Sequence, residues 1–147
     1  MRIVLIAAIS MLAATAAQAA DGWIVKDSSS DVATTADRLV SAVEKAGAKV
    51  FARVDHAKGA EETGQPIPPA TLVMFGNPWI GTPVMAADPK AGLDLPIRVL
   101  IWDDGGQTRI GYLSADELAD RYALDDAGPA LEAMAGAVGK LTDAAAR

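Results

Sequence analysis

Two stretches with helical apolar spacing, one near each end of the chain, enclose a block of short β-prone runs. An amphipathic helix has to bury its apolar face against another layer, and the runs between the two stretches supply a sheet for that purpose. We expect one helix from Val32 to about Gly47 and another from about Gly128 to the tail, since glycine suits the position just past a helix end. The two apolar stripes comprise Val32, Ala36, Leu39, Val40 and Val43, and Leu131, Met134, Val138 and Leu141.

The β-prone runs between the stripes, together with one run before them, predict the strands of the sheet. In the second run, alternation places Val50, Ala52 and Val54 on one side of the strand, opposite Phe51 and Arg53. The predicted strands are Trp23–Val25, Lys49–Asp55, Leu72–Phe75, Ile97–Trp102 and Gln107–Leu113.

The connections between these runs contain turn and capping signals. His56 to Pro69 is polar and rich in proline, which predicts a loop of about a dozen residues. Asn77 before Pro78 and Thr82 before Pro83 pair an N-cap residue with a first-turn proline, so one or two short helices are expected there.

Two further local signals lie in the second half of the chain. Asp103-Asp104-Gly105-Gly106 is a tight-turn sequence that joins the last two strands into a hairpin. Ser114 and Glu117 form a capping box, which predicts a short helix through Tyr122.

This order of elements predicts an α+β two-layer sandwich, in which one mostly antiparallel sheet carries the helices on one face. A doubly wound nucleotide-binding sheet would alternate strand and helix throughout, and this chain does not. The other face of the sheet would be left free. Trp102 and Phe51 are expected on that free face, which favours a homodimer.

The first 19 residues are typical of a secretory signal peptide. Met1-Arg2 begin with a positive charge, an apolar run follows from Ile3 to Leu12, and Ala17-Gln18-Ala19 is a cleavage sequence of the A-x-A type. Cleavage after Ala19 would leave a single domain of residues 20–147, exported to the periplasm or secreted, with no membrane attachment.

The composition excludes several kinds of function. Nineteen acidic residues against 13 Lys and Arg argue against nucleic acid as a partner, because that binding needs a basic face. The absence of cysteine excludes disulfides, thiolate metal sites and iron–sulfur clusters, and the single histidine excludes a multi-histidine metal cage within one chain. No cofactor is predicted.

The segment from Pro68 to Pro78, followed by Gly81-Thr82-Pro83-Val84-Met85, resembles the signature of the domain-of-unknown-function family 302. Gly92 to Leu100, the turn from Trp102 to Gly105 and Val54-Asp55-His56-Ala57 continue the resemblance. It covers roughly Val32 to Leu141 and implies a β-α-β(4)-α fold of the TATA-binding-protein-like class. It implies no activity.

The chain departs from that family's pattern at two positions. Family members often have a basic residue where this chain has Trp79, and a histidine near Tyr122. A ligand that needs that cation or that second histidine is therefore in doubt for this protein.

Four residues are the candidates for a ligand site: Asp55, His56, Asn77 and Thr82. A carboxylate beside an imidazole can raise its pKa, as a general base requires, but adjacent strand residues point to opposite faces. No glycine-flanked serine or cysteine nucleophile is present, so a capping or hydrogen-bonding role at a strand end explains His56 better than catalysis does.

Other candidates have stronger structural explanations. Met74 and Met85 with His56 would suit Cu(I), yet methionine is ordinary core filler, so we predict no metal site. Asp88, Asp94, Asp103 and Asp104 do not form a calcium loop.

Gly76-Asn77-Pro78 and Gly81-Thr82-Pro83 remain the best site segment, because turn residues and the His56 loop could converge on one cleft. We therefore predict a binding module for a small ligand or a partner protein. The alternatives are a hydrolase-like enzyme with His56 as general base and a dimeric structural or assembly protein.

Overall fold

The computed structural model describes residues 22–147, and the predicted signal peptide lies outside these residues. The strands are β1 (Trp23–Asp27), β2 (Lys49–Asp55), β3 (Ala70–Gly76), β4 (Ile97–Asp104) and β5 (Gln107–Leu113). The helices are α1 (Val32–Lys45), α2 (His56–Glu62), α3 (Pro78–Ala87), α4 (Ala115–Arg121) and α5 (Gly128–Ala146). Short 3-10 turns at Pro89–Leu93 and Asp125–Ala127 complete the chain.

The five strands form one sheet in the order β1-β5-β4-β3-β2, and every neighbouring pair is antiparallel. The first two strands of the chain are therefore the two edges, and α1 crosses the sheet between them. The predicted α+β sandwich is confirmed, with the strand and helix order β-α-β(4)-α once the short helices are set aside.

The core lies between one face of the sheet and the helices α1 and α5. Alternate residues of β3 and β4 are buried, and Val73 and Val99 are paired neighbours there. Leu39 and Val43 of α1 pack against them and are fully buried, because the stripe predicted from the sequence faces the sheet. The opposite surface of the sheet, called here the open face, carries no helix of this core.

A second apolar cluster lies beyond the end of the sheet, between α3, α4 and α5. Val84, Leu118 and Leu131 form its centre, and Met134 of α5 belongs to it as well. Ile97, at the start of β4, packs against both clusters. The two clusters therefore meet near Ile97.

The alternation predicted for β2 is interrupted by a β-bulge. Val50 pairs with Phe75, but the next pair is Ala52 with Met74, so Phe51 is the extra residue. Ala52 and Val54 consequently lie on the opposite side of the sheet from Val50, and the prediction that all three share one side is wrong.

The segment after β2 is partly helical, so the predicted loop from His56 to Pro69 is also wrong. The Asp55 side chain accepts a hydrogen bond from the backbone N–H of Lys58 at 3.0 Å and begins α2. None of the residues of α2 is buried. Without a buried stripe, the helix leaves no apolar periodicity in the sequence, and the cap is its main signal.

Two of the predicted N-caps, Asn77 and Ser114, are confirmed, and the N-cap predicted at Thr82 is wrong. Asn77 caps α3 and Ser114 caps α4, where its side chain accepts from the N–H of Glu117 at 3.0 Å. A single helix runs through Pro83, so Thr82 caps nothing. Gly105 and Gly106 form the two-residue hairpin turn with φ angles of 62° and 96°.

Candidate functional site

The structure separates the predicted site residues into two groups at opposite ends of the sheet. Asp55 pairs with Thr71 at one end of β3, whereas Gly76, which precedes Asn77, pairs with Lys49 at the other. Five residues of extended strand between Thr71 and Gly76 span about 17 Å. The predicted convergence of His56 with Asn77 and Thr82 on one cleft therefore does not occur.

The Asp55–His56 pair does not form a catalytic couple in this structure. One oxygen of the Asp55 carboxylate caps α2, and within residues 22–147 no side-chain hydrogen bond involves the His56 imidazole. His56 is exposed and begins α2, where it lines one end of the first cavity described below. The imidazole is accessible to a ligand but has no oriented partner.

The methionines proposed as weak metal ligands lie apart. Met74 is in β3 on the open face, whereas Met85 of α3 lines a different cavity from His56. Within the part of the chain that the structure describes, no three histidine or acidic side chains come together as metal ligands.

A cluster of charged side chains around Asp94 was not among the predicted site residues. The Asp94 side chain is 5% exposed and binds Arg98 and Arg121, while the hydroxyl of Tyr122 donates to it at 2.6 Å. Arg121 also donates from Nε to Glu117 at 2.7 Å. A buried carboxylate thus fixes two guanidinium groups at the point where β4 begins and α4 ends.

The environment of Asp94 favours its ionised form. Burial by itself would raise the pKa of Asp94, but the hydrogen bond from Tyr122 and the charges of Arg98 and Arg121 outweigh it. The pKa of Asp94 is therefore lowered, and the pKa of Tyr122 is raised, mainly because its hydroxyl binds this carboxylate. At neutral pH the carboxylate is charged and holds both arginines.

These arginines line the first cavity, which we call the arginine cavity, of about 350 Å³. Its apolar walls come from both layers, including Leu100 and Leu72 of the sheet and Met134 of α5. Both layers contribute because the pairing of β4 with β5 stops at Leu100 and Gly111, so the two strands separate beyond that point.

A second cavity of about 300 Å³, called here the phenylalanine cavity, lies at the same end of the sheet. Phe51 and Phe75 line it, together with Asn77 and Thr82, and no charged side chain contributes to its wall. The Asn77 Oδ1 atom accepts from the N–H of Trp79 at 3.0 Å, so its amide NH₂ and the second lone pair of Oδ1 remain for a ligand. The best site segment of the sequence therefore lines an apolar cavity, apart from the charged cluster.

The open face carries an apolar surface. Trp102 lies on it, as predicted, and its ring packs over Gly111 beside Trp23. A Cβ at Gly111 would lie 2.8 Å from Cζ3 of Trp102 and 3.4 Å from Cε3 of Trp23, so only glycine fits there. Trp23 and Val54 are 40% and 39% exposed.

The sequence contains a weak signal for the missed cluster. Asp94 and Arg98 are four residues apart around Pro96, and Arg121 adjoins Tyr122 at the end of a capped helix. Tyr122 lies near the position at which the family resemblance implies a histidine, and its hydroxyl enters the cluster. Trp79, the other departure, is 89% exposed and lines neither cavity.

Comparison with solved structures finds the same fold in a protein of this kind. The crystal structure of an uncharacterized conserved DUF302 protein from Bacillus stearothermophilus superposes with a TM-score of 0.77. The match covers 87% of this chain and all of that one, at 19% sequence identity, which shows a common fold.

Similar curated proteins are named fluoride-specific ion channels. The chain is 39% identical over 127 residues to FluC 1 of Brucella suis biovar 1 (strain 1330) and to FluC 1 of Brucella abortus biovar 1 (strain 9-941). The match covers 85% of this chain but only 50% and 47% of those proteins, so the chain spans about half of their length. Among residues 22–147, no helix has the length and apolar content needed to cross a membrane.

The family model described as "Domain of unknown function DUF302" matches residues 24–141, which include β2 to β5, all of β1 except Trp23, and most of α5. The chain therefore belongs to the DUF302 family.

Proposed function

We propose that this protein binds a small amphipathic molecule with one acidic group in the arginine cavity. The observation that carries the proposal is the buried Asp94 carboxylate, which fixes Arg98 and Arg121 at the wall of an otherwise largely apolar cavity. Pockets that combine apolar walls with a few fixed polar groups are the usual sites for small ligands, and about 350 Å³ is within their range.

The two guanidinium groups keep unused hydrogen-bond donors. Arg98 donates from Nη2, and Arg121 from Nε and Nη1, whereas each guanidinium has five N–H bonds. Both side chains are 42% exposed, so the remaining donors are accessible from the cavity. A carboxylate ligand would accept from them in the bidentate geometry that guanidinium favours.

The charge balance of the cluster limits the ligand to a weakly charged acid. The carboxylates of Asp94 and Glu117 offset the two guanidinium groups, so little excess positive charge remains. A phosphate dianion would be repelled by Asp94 and Glu117 at close range. A singly charged carboxylate on an apolar body suits both the charges and the walls.

The test is binding of octanoate, measured by isothermal titration calorimetry on the wild type and on Arg121→Gln. The matched control is Arg53→Gln, because Arg53 forms an ion pair with Asp37 and has a similar exposure of 39%. We expect octanoate to bind the wild type and the control equally, and Arg121→Gln at least tenfold more weakly, since a charge-assisted pair is lost. Equal affinity for all three proteins, or no binding by the wild type, rejects the proposal.

Export to the periplasm or outside the cell is part of the same proposal. It rests on the signal-peptide pattern of residues 1–19. Mass spectrometry of the protein recovered from its producing cells should give a chain that begins at Ala20. A chain that retains Met1 in the cytoplasmic fraction would contradict export.

A second candidate is assembly through the open face with a second copy of the chain. Charged side chains of this face have ion-pair partners within one copy, since Arg109 binds Asp27 and Asp104, and Arg98 binds Asp94. Sedimentation equilibrium should then give a dimer that Val54→Lys, at a 39% exposed position, dissociates. A monomer at all concentrations removes this candidate.

The names of the curated relatives motivate a third candidate, a role in handling fluoride. It rests on the 39% sequence identity between this chain and half the length of a protein named as a fluoride-specific ion channel. Thermal unfolding in sodium fluoride, compared with sodium chloride at the same ionic strength, tests it directly. A fluoride-specific rise in Tm supports the role, and identical Tm values in the two salts reject fluoride binding by this chain.

A further inference from the structure

Resting on the proposed function, we infer that the two cavities form one site for a long-chain acid, with Met134 as the movable partition between them. The acid group would bind the arginines, and the apolar chain would extend past Met134 into the phenylalanine cavity. The ligand class is thereby narrowed from a small amphipathic acid to an acyl chain with a terminal carboxylate.

The two cavities share part of their walls. Among residues 22–147, Ile97 and Met134 are the two side chains that line both cavities. On α5, Val138 lines the arginine cavity and Leu141 lines the phenylalanine cavity. Met134 lies about one turn before Val138 and two turns before Leu141, and it lines both cavities. The helix thus has one cavity on each flank.

Methionine is suited to act as a partition. Its unbranched thioether side chain has three rotatable bonds and changes conformation at low cost, unlike a β-branched residue. Met134 is 3% exposed and belongs to the apolar cluster against which Ile97 packs. A rotation of this one side chain would connect the cavities without any change in the backbone.

The difference in polarity between the two cavity walls determines which end of the ligand lies in which cavity. Asp94, Arg98 and Arg121 all belong to the arginine cavity. The phenylalanine cavity has only the neutral Asn77 and Thr82 among its polar side chains. A chain that crosses Met134 therefore moves from charged donors into apolar walls, as an acid with a long tail requires.

The experiment compares octanoate with dodecanoate by calorimetry on the wild type and two glycine variants. Gly81 lines the phenylalanine cavity, and a Cβ there meets nothing within 4 Å, so Gly81→Leu begins its side chain in open space at the wall of this cavity. The matched control is Gly136→Leu, because Gly136 is also helical, has equally open space and lines neither cavity.

In the wild type we expect affinity to rise two- to fourfold for each added methylene, the factor for burying a methylene in an apolar site. Dodecanoate should therefore bind at least tenfold more tightly than octanoate. Gly81→Leu should abolish this gain and leave octanoate binding unchanged, and Gly136→Leu should change neither.

The outcomes separate the inference from the proposed function. If octanoate fails to bind the wild type, the proposed function itself fails. If octanoate binds but dodecanoate binds no better, or if Gly81→Leu leaves the dodecanoate gain intact, the acid site stands and the inference is overturned. If Gly81→Leu leaves the dodecanoate gain intact, the acyl tail would lie along the open face towards His56. Ala137→Phe, which fills the same cavity from α5, provides an independent variant should Gly81→Leu not fold.

Discussion

Replacement of Asp94 by asparagine tests whether this buried carboxylate holds the arginine cluster together. Asp94→Asn keeps the size of the side chain but removes the charge, and it turns one acceptor oxygen into an NH₂ group that faces guanidinium donors. The wild-type side chain is 5% exposed and accepts from Arg98, Arg121 and Tyr122. The variant therefore leaves charged donors unpaired in a buried position.

The expected loss at pH 7 is about 2–4 kcal/mol in the free energy of unfolding, less than for a fully buried pair because both arginines are partly exposed. For a domain of this size that loss lowers Tm by about 6–15 °C. Thermal unfolding followed by circular dichroism measures it.

The matched control is Asp37→Asn, since Asp37 pairs with Arg53 but is 69% exposed. Asp37→Asn should lower the free energy of unfolding by less than about 1 kcal/mol. Equal losses in Asp94→Asn and Asp37→Asn would refute the view that burial makes the Asp94 cluster stronger than a surface ion pair.

The pH dependence gives a second check on the same residue. Because the folded-state pKa of Asp94 is lowered, its stabilisation is fully present above the unfolded-state value of about 3.9 and is lost as the pH falls through the folded-state pKa. The difference in unfolding free energy between wild type and Asp94→Asn should therefore be largest near neutral pH and shrink below about pH 4. A difference that stays constant from pH 7 to pH 2 contradicts this assignment.

Four further variants test the packing and the caps. Gly111→Ala should destabilise by about 1–3 kcal/mol, because its methyl group displaces the Trp102 ring, whereas Gly136→Ala on an open helix surface should stabilise by about 0.5–1 kcal/mol. Chemical denaturation measures both, and a neutral Gly111→Ala would mean that the ring moves away freely. Ser114→Ala and Asn77→Ala each remove a helix cap and should cost about 1 kcal/mol. If octanoate affinity also falls in Asn77→Ala, that residue has a role beyond its cap.

The parts of the fold that the sequence predicted correctly depend on short-range signals. The caps at Asn77 and Ser114 act over two or three residues, and the buried stripe of α1 repeats within one helix. The hairpin was predicted correctly because Gly105 and Gly106 adopt the positive φ angles that its turn requires.

The features that escaped prediction depend on contacts between distant parts of the chain. The bulge at Phe51 is defined only by the register of β2 on β3, and no residue type in β2 requires it. Arg121 and Tyr122 reach Asp94 across 27 and 28 residues, so the burial of that carboxylate becomes visible only after α4 has folded back. The prediction that His56 and Asn77 converge is wrong because the two residues lie near opposite ends of β3.

The position of β1 and β2 as the two edges of the sheet has a consequence for aggregation. An exposed edge strand offers unpaired backbone groups that can add strands from another molecule, which is how sheets grow into fibrils. In β1, Lys26 turns its ammonium group towards α5, where it binds the carbonyl of Gly139 at 3.0 Å and Thr142 Oγ1 at 2.9 Å. In β2, the bulge at Phe51 breaks the regular ladder. To pair with β1, a strand of another molecule would have to displace the bound ammonium group of Lys26. To pair with β2, it would have to match the irregular register at the bulge. Both edges of the sheet are therefore protected against the addition of strands.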